Sequence, residues 1–153
     1  MSINLSQLRI RQFLASDFPE YQSWYNDPVL DKALGPMDED WLEFILKDQT
    51  GGQFSILLED TLLAVVGIAW STPTTPQHTI TDLAVHPNYR RKGLGKRSLQ
   101  LLMQYVESSE DQKWIAWVDP QNQNALQFLL GLGWQVEKKN EEEEMHLLSW
   151  VEN

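Results

Sequence analysis

Arg90, Arg91, Lys92, Lys96 and Arg97 surround Gly93 and Gly95, so five of the chain's 12 Lys and Arg residues stand in one short stretch. The residues before them, Ile80 to Val85, read as a β-strand, and those after Gly95 carry apolar side chains at helical spacing. A strand that runs into a glycine turn and opens a helix presents unpaired backbone N–H groups and a partial positive charge, a natural seat for phosphate oxygens. The chain as a whole has a formal charge of −10. Its basic charge is therefore gathered at this turn rather than spread over the surface.

Counting residues excludes two common phosphate loops. If Gly95-Lys96 ended a Walker loop, the glycine five residues earlier would be Arg90 and the required Ser or Thr would be Arg97. The dinucleotide pattern G-x-G-x-x-G fails at Ser98, and the flanking strands do not form the βαβ unit it needs. Asp82 is the carboxylate nearest the turn in sequence, and strand alternation leaves open which face it takes. His78, His86 and His146 are too scattered for a metal site. His86, beside Pro87, is expected to shape a loop, and His146 to pack on a strand face with Leu148 and Trp150.

The elements that must position these residues follow from periodicity. Leu8 to Phe13 alternates as a half-buried strand, Ser16 stands at a helix N-cap, and a short helix runs to about Tyr25. Asn26-Asp27-Pro28 reads as its break, and Asp38 to Lys47 as a second helix with Trp41, Leu42 and Ile45 on one face. Gln53 to Leu58 and Leu62 to Trp70 form a hairpin over Glu59-Asp60-Thr61, and a loop over residues 71–77 leads to the strand before the turn. After Gly95 come a helix to about Glu107, a strand over Lys113 to Val118, a helix from Asn122 to about Gly131, and strands over Trp134 to Val136 and Met145 to Val151. Glu141 to Glu144 is expected to be a solvated hairpin loop. The order β-α-α-β-β-β-α-β-α-β-β points to an α+β fold or a mixed sheet rather than a doubly wound parallel one.

The chain has 153 residues and no cysteine, which fits one domain, residues 1–153, without disulfides, a thiolate nucleophile or a Cys-bound metal. No window approaches the roughly 20 apolar residues of a membrane span, and the N-terminus lacks a basic region followed by an apolar run. A soluble, cytoplasmic protein is expected. The acidic balance argues against a nucleic-acid surface and favours cationic partners.

Arg90-x-x-Gly93-x-Gly95, preceded by Leu83-x-Val85-x-Pro87 and followed later by Asn122-x-x-Ala125-x-x-Phe128 and Gly133-Trp134, resembles the GNAT superfamily of acyl-CoA-dependent acetyltransferases. The resemblance covers nearly the whole chain. Leu8-Arg-Ile-Arg and Trp24-Tyr-Asn-Asp-Pro28 also look like the start of the branch that includes ribosomal-protein N-terminal acetyltransferases. It implies a mixed, mostly antiparallel sheet of about six or seven strands flanked by about four helices, with a splayed central strand pair. It further implies acetyl-CoA as co-substrate, with no metal. Arg90, Arg91, Lys92, Gly93, Leu94, Gly95 and Lys96 would hold the pyrophosphate. Backbone groups of the Leu83, Ala84 and Val85 segment would pair with the pantetheine arm, and Asn122 and Phe128 would flank the coenzyme on its far side. Trp24, Tyr25, Asp27 and Asp31 lie in the segment that borders the acceptor pocket in this family, where aromatic and acidic groups suit a cationic amine.

The implied reaction needs a neutral amine. At pH 7 a lysine-like amine costs roughly 4.6 kcal/mol to deprotonate and an α-amine only about 1.4 kcal/mol, so an α-amino acceptor manages with a weak base such as Asp82. The family usually places a tyrosine general acid directly after the Phe128 position, and this chain has Leu129 there. Three readings stay open: the thiolate leaves unassisted, Tyr89 or water supplies the proton, or the chain is a poor catalyst. The last merges into a second reading, a non-catalytic acyl-CoA-binding module. A homodimer formed through an exposed strand edge is also consistent with the sequence.

Overall fold

A computed structural model of the chain describes residues 3–106, 113–138 and 145–151. Its strands are β1 (Arg9–Gln12), β2 (Gly51–Leu58), β3 (Thr61–Ala69), β4 (His78–Val85), β5 (Lys113–Val118), β6 (Gln135–Lys138) and β7 (His146–Val151). Its helices are α1 (Phe18–Ser23), α2 (Pro28–Leu34), α3 (Glu39–Lys47), α4 (Leu94–Tyr105) and α5 (Gln123–Gly131), with short 3₁₀ turns at Leu5–Gln7, Ala15–Asp17, Trp24–Asn26 and Pro87–Tyr89. The strands hydrogen-bond in the order β1-β2-β3-β4-β5-β7-β6. β1 with β2, β5 with β7 and β6 with β7 are antiparallel, and β4 with β5 is parallel. This is the mixed α+β sheet expected. The β4–β5 pairs run from His78↔Trp114 to Ile80↔Ala116, whereas β4 continues to Val85 and β5 to Val118. The hairpin loop expected at Glu141 to Glu144 lies outside the described residues. The helix expected to run to about Glu107 ends at Tyr105, with Val106 as its cap.

One helix was not expected. Asp27 and Pro28 do not simply end α1; they begin α2, with the Asp27 carboxylate accepting from Leu30 N–H at 3.0 Å and Pro28 in the first helical turn. Proline lacks only a donor that a helix start leaves unpaired, and its fixed φ suits that place.

The described residues gather into two compact units, one from residues 3–67 and 82–106 and the other from residues 68–81, 113–138 and 145–151. In the first, Phe13, Phe18, Tyr21, Trp24, Leu30 and Ala84 belong to a buried cluster. Trp41, Leu42 and Ile45, one face of α3, pack on it. Trp41 stands edge-on to Phe13 at 5.5 Å and stacks on Phe18 at 6.2 Å.

The same unit holds a buried carboxylate. Asp17 accepts from Arg11 Nη1 at 2.8 Å and Nη2 at 2.9 Å, from Leu14 N–H at 2.9 Å, and from Ser55 Oγ at 2.9 Å. Burial raises the Asp17 pKa, but the hydrogen bonds from Arg11, Leu14 and Ser55, with the Arg11 charge, outweigh it and hold the carboxyl below its ordinary value.

In the second unit β7 pairs along the whole of β5, from Lys113↔Val151 to Val118↔His146. His78, at the start of β4, is buried between Trp70 and Trp114, with ring centroids 5.7 and 5.1 Å away. Its Nδ1 accepts from Ser71 N–H at 3.0 Å, which ties the loop after β3 to β4. Burial lowers its pKa from the ordinary 6.5. The unfolded chain therefore binds this proton at higher pH than the folded one. The stability that His78 contributes is full above its ordinary value and is lost as pH falls from there toward the folded pKa. We expect His78→Gln, which keeps an acceptor but does not titrate, to flatten the fall in melting temperature between about pH 7.5 and about pH 5.5. An equally steep fall in the variant would show that another group is responsible.

α5 ends in a left-handed Gly133, φ 96°. Gly133 N–H donates to Leu130 O and Trp134 N–H to Leu129 O, both at 3.0 Å, so the last carbonyls are satisfied in a Schellman arrangement. The two residues that this closure brings together, Leu129 and Trp134, are both buried.

Candidate functional site

β4 leads into the basic turn through a corner shaped by His86. Its N–H donates to Leu63 O at 2.9 Å, its Nδ1 accepts from Asn88 N–H at 3.1 Å, and its ring packs on Trp24 and Tyr89 at 5.0 and 4.9 Å. After Arg90 the backbone turns left-handed twice, at Arg91 (φ 62°) and Gly93 (φ 80°). Glycine takes this conformation at little cost, and arginine does not, so the turn is built against local preference. Gly93 is the N-cap of α4, and no side chain fills the cap. The first intrahelical bond runs from Arg97 N–H to Gly93 O at 3.1 Å. The N–H groups of Leu94, Gly95 and Lys96 precede that ladder, as an anion seat requires.

The inner face of α4 is fixed by Leu94, Ser98, Leu99 and Leu102, all buried. Ser98, the residue that broke the dinucleotide pattern, is wholly buried, and its Oγ has no partner in the structure. Of the five basic residues, two are engaged by other parts of the chain. Arg90 grips Asp27, with Nη2 to Oδ2 at 2.7 Å and Nη1 to Oδ1 at 3.4 Å, and Arg97 Nε donates to Leu5 O at 3.3 Å. Arg91, Lys92 and Lys96 are exposed. The uncapped first turn of α4 is thus flanked by three exposed cations.

Leu83 and Val85 are half-buried, and Ala84, on the opposite face of β4, is part of the core. In the second unit Asn122 caps α5, its Oδ1 accepting from Ala125 N–H at 3.1 Å, and Phe128 is half-buried.

The four residues expected at the acceptor side separate into two pairs. Trp24 is a core residue, 3% exposed, with its indole N–H on Glu20 Oε1 at 3.1 Å and its ring edge-on to Tyr21. Asp27 is taken up by Arg90 and by the cap of α2, and the bond from Arg90 holds its carboxyl below its ordinary pKa. Tyr25 and Asp31 instead line a polar depression of about 460 Å³ with Gln22, Asn26 and Met37.

Asp82 lies on the β4 face that carries Ala84, toward the core cluster with Tyr21, and accepts from Gln53 Nε2 at 3.1 Å. Sequence reasoning missed Tyr21 and Gln53. The i,i+4 spacing of Tyr21 and Tyr25 was the available signal: their hydroxyls meet at 2.6 Å.

Leu129 is 6% exposed and closes the end of α5 with Trp134. Leu129→Tyr is therefore expected to overfill this site and destabilise the protein by about 1–3 kcal/mol, read as a lower melting temperature. An unchanged melting temperature would mean that the helix end has room to spare. Among the described residues no group of three or more His, Asp or Glu is placed to hold a metal ion, and no helix is long and apolar enough to cross a membrane.

Known structures share this architecture. An acetyltransferase from Thermus thermophilus superposes with a TM-score of 0.80 at 15% identity, over 97% of this chain and 99% of that one. The spermidine N-acetyltransferase of Vibrio cholerae, in complex with CoA and spermine, gives 0.75 at 13% identity over 96% of both chains. Arabidopsis thaliana Naa50, in complex with the bisubstrate analogue CoA-Ac-MVNAL, gives 0.64 at 13% identity over 95% and 99%. At such identities the likeness is one of fold. No curated protein sequence matches the chain. The family model described as Acetyltransferase (GNAT) family does match it, over residues 9–134, a span that contains β1, the Gly93 turn and α5, and the chain belongs to that family.

Proposed function

We propose that this chain is an N-acetyltransferase that carries the acetyl group of acetyl-CoA directly to an amine, on a small molecule or a peptide N-terminus, and that residues 1–153 act as one catalytic domain in the cytoplasm. The observation that carries the reading is the turn itself: left-handed Gly93, an uncapped α4 start, and exposed Arg91, Lys92 and Lys96 beside it. Coenzyme A brings a pyrophosphate and a ribose phosphate, and such a seat offers both backbone donors and charge. The relatives in complex with CoA or a CoA-linked analogue support the same choice. On the acceptor side, Tyr25 and Asp31 offer a cationic amine an aromatic face and a carboxylate at one depression.

Leu129 favours a second reading, a non-catalytic acyl-CoA-binding module, because a buried leucine donates no proton. Tight coenzyme binding is common to both. The test is release of free thiol from acetyl-CoA in the presence of a panel of amines, polyamines and peptides with free N-termini. Acceptor-dependent release supports the enzyme, and coenzyme binding without release from any acceptor supports the module.

A further inference from the structure

Tyr21 is 1% exposed, so its hydroxyl needs an internal partner, and Tyr25 Oη supplies it at 2.6 Å. The rings stand edge-on, 5.2 Å apart, which fixes the hydroxyls as well as the rings. One end of this pair is open, because Tyr25 lines the depression that also contains Asp31. The other end is buried on the side of β4 that carries Asp82, whose carboxylate is oriented by Gln53. Burial raises the pKa of both phenols, and the charge of Asp82 adds to the rise; Asp31 also acts on Tyr25, which is pushed up to about 12. Both groups therefore stay neutral, and a neutral hydroxyl donates and accepts at once.

We propose that Tyr25, positioned by Tyr21, receives the proton released by the attacking amine, and that the pair hands it to Asp82. This rests on the acetyltransferase reading above. As the amine nitrogen attacks the thioester carbon, a C–N bond forms and the C–S bond breaks, its electron pair leaving on sulfur. The proton of the new N–H⁺ passes to Tyr25 Oη, the Tyr25 hydroxyl proton passes to Tyr21 Oη, and the Tyr21 proton passes to the Asp82 carboxylate, which returns it to water. Each tyrosine ends as it began. Only Tyr25 touches the acceptor; Tyr21 is a positioning and relay residue, and Asp82 acts through it.

Tyr25→Phe, Tyr21→Phe and Asp82→Asn test the relay on the whole chain, with the acceptor that turns over best in the amine panel. Each variant is first checked by circular dichroism and thermal melting, then measured for kcat, acceptor KM, coenzyme A Kd and the effect of D₂O on kcat. Tyr25→Phe is expected to lower kcat by about 10²-fold or more, within the range for loss of a proton-transfer group, with the coenzyme A Kd unchanged. Tyr21→Phe should lower kcat as well and change the D₂O effect, which a merely structural hydroxyl would not do. A folded Tyr25→Phe with wild-type kcat overturns the relay while leaving the acetyltransferase reading intact. Wild-type protein that binds coenzyme A but acetylates nothing overturns both.

Discussion

Gly93→Val is expected to abolish coenzyme A binding and to lower the melting temperature at the same time. The φ of 80° at Gly93 is one that a β-branched residue avoids, and holding valine there costs on the order of 1–3 kcal/mol. A Cβ at this position also comes within 3.1 Å of Leu5 Cδ1. Loss of binding by the valine variant alone would thus confuse a damaged seat with a damaged fold. Gly93→Asn separates the two, since asparagine tolerates left-handed backbone but still puts a side chain over the turn. Its melting temperature should stay near wild type while coenzyme affinity, measured by calorimetry, falls by at least about tenfold, or roughly 1.4 kcal/mol. Undiminished affinity in Gly93→Asn would remove the coenzyme from this turn.

Asp17→Ala is expected to be the most destabilising single change to a side chain described here. It removes the buried partner of a half-buried ion pair and leaves the Arg11 guanidinium, Leu14 N–H and Ser55 hydroxyl without their shared acceptor. Arg11 is a third exposed and can turn to water, but leaving the buried Ser55 hydroxyl and the Leu14 N–H unpaired costs about 1–3 kcal/mol each, together on the order of 10 °C in melting temperature for a chain of this length. The pH dependence has a definite sign. The folded carboxyl is held below its ordinary 3.8, so its contribution is complete above that value and is lost as pH falls from there toward the folded pKa. Acid titration of stability should therefore be shallower in Asp17→Ala. Equal melting temperatures for variant and wild type would show that Asp17 contributes nothing net.

The basic turn is readable from the sequence because its determinants are local: glycine where the backbone turns left-handed, and an apolar period starting just after it. α2 is not, since Asp27-Pro28 is chemically the same pair whether it stops one helix or starts another. What decides is Leu30, buried in a cluster built from distant strands. The partner of Arg90 is hidden for the same kind of reason. Counted along the chain, Arg90 belongs to a phosphate seat and Asp27 to an acceptor pocket, yet the two lie 63 positions apart and bind each other. Asp82 shows the intermediate case. Alternation along β4 allows two faces, and the packing of Ala84 selects the one toward Tyr21. Leu129 is legible as a departure from the family's tyrosine, but its closure of α5 with Trp134 needs the three-dimensional helix end.

The outermost strands, β1 and β6, are four described residues each, and both carry charge: Arg9 and Arg11 on one, Glu137 on the other, where the register with β7 also shifts between Val136 and Lys138. Short, charged and irregular margins are poor templates for a further strand. The practical result is resistance to ribbon-like self-association. Concentrated stocks of this protein are expected to remain free of strand-addition aggregates while the fold is intact.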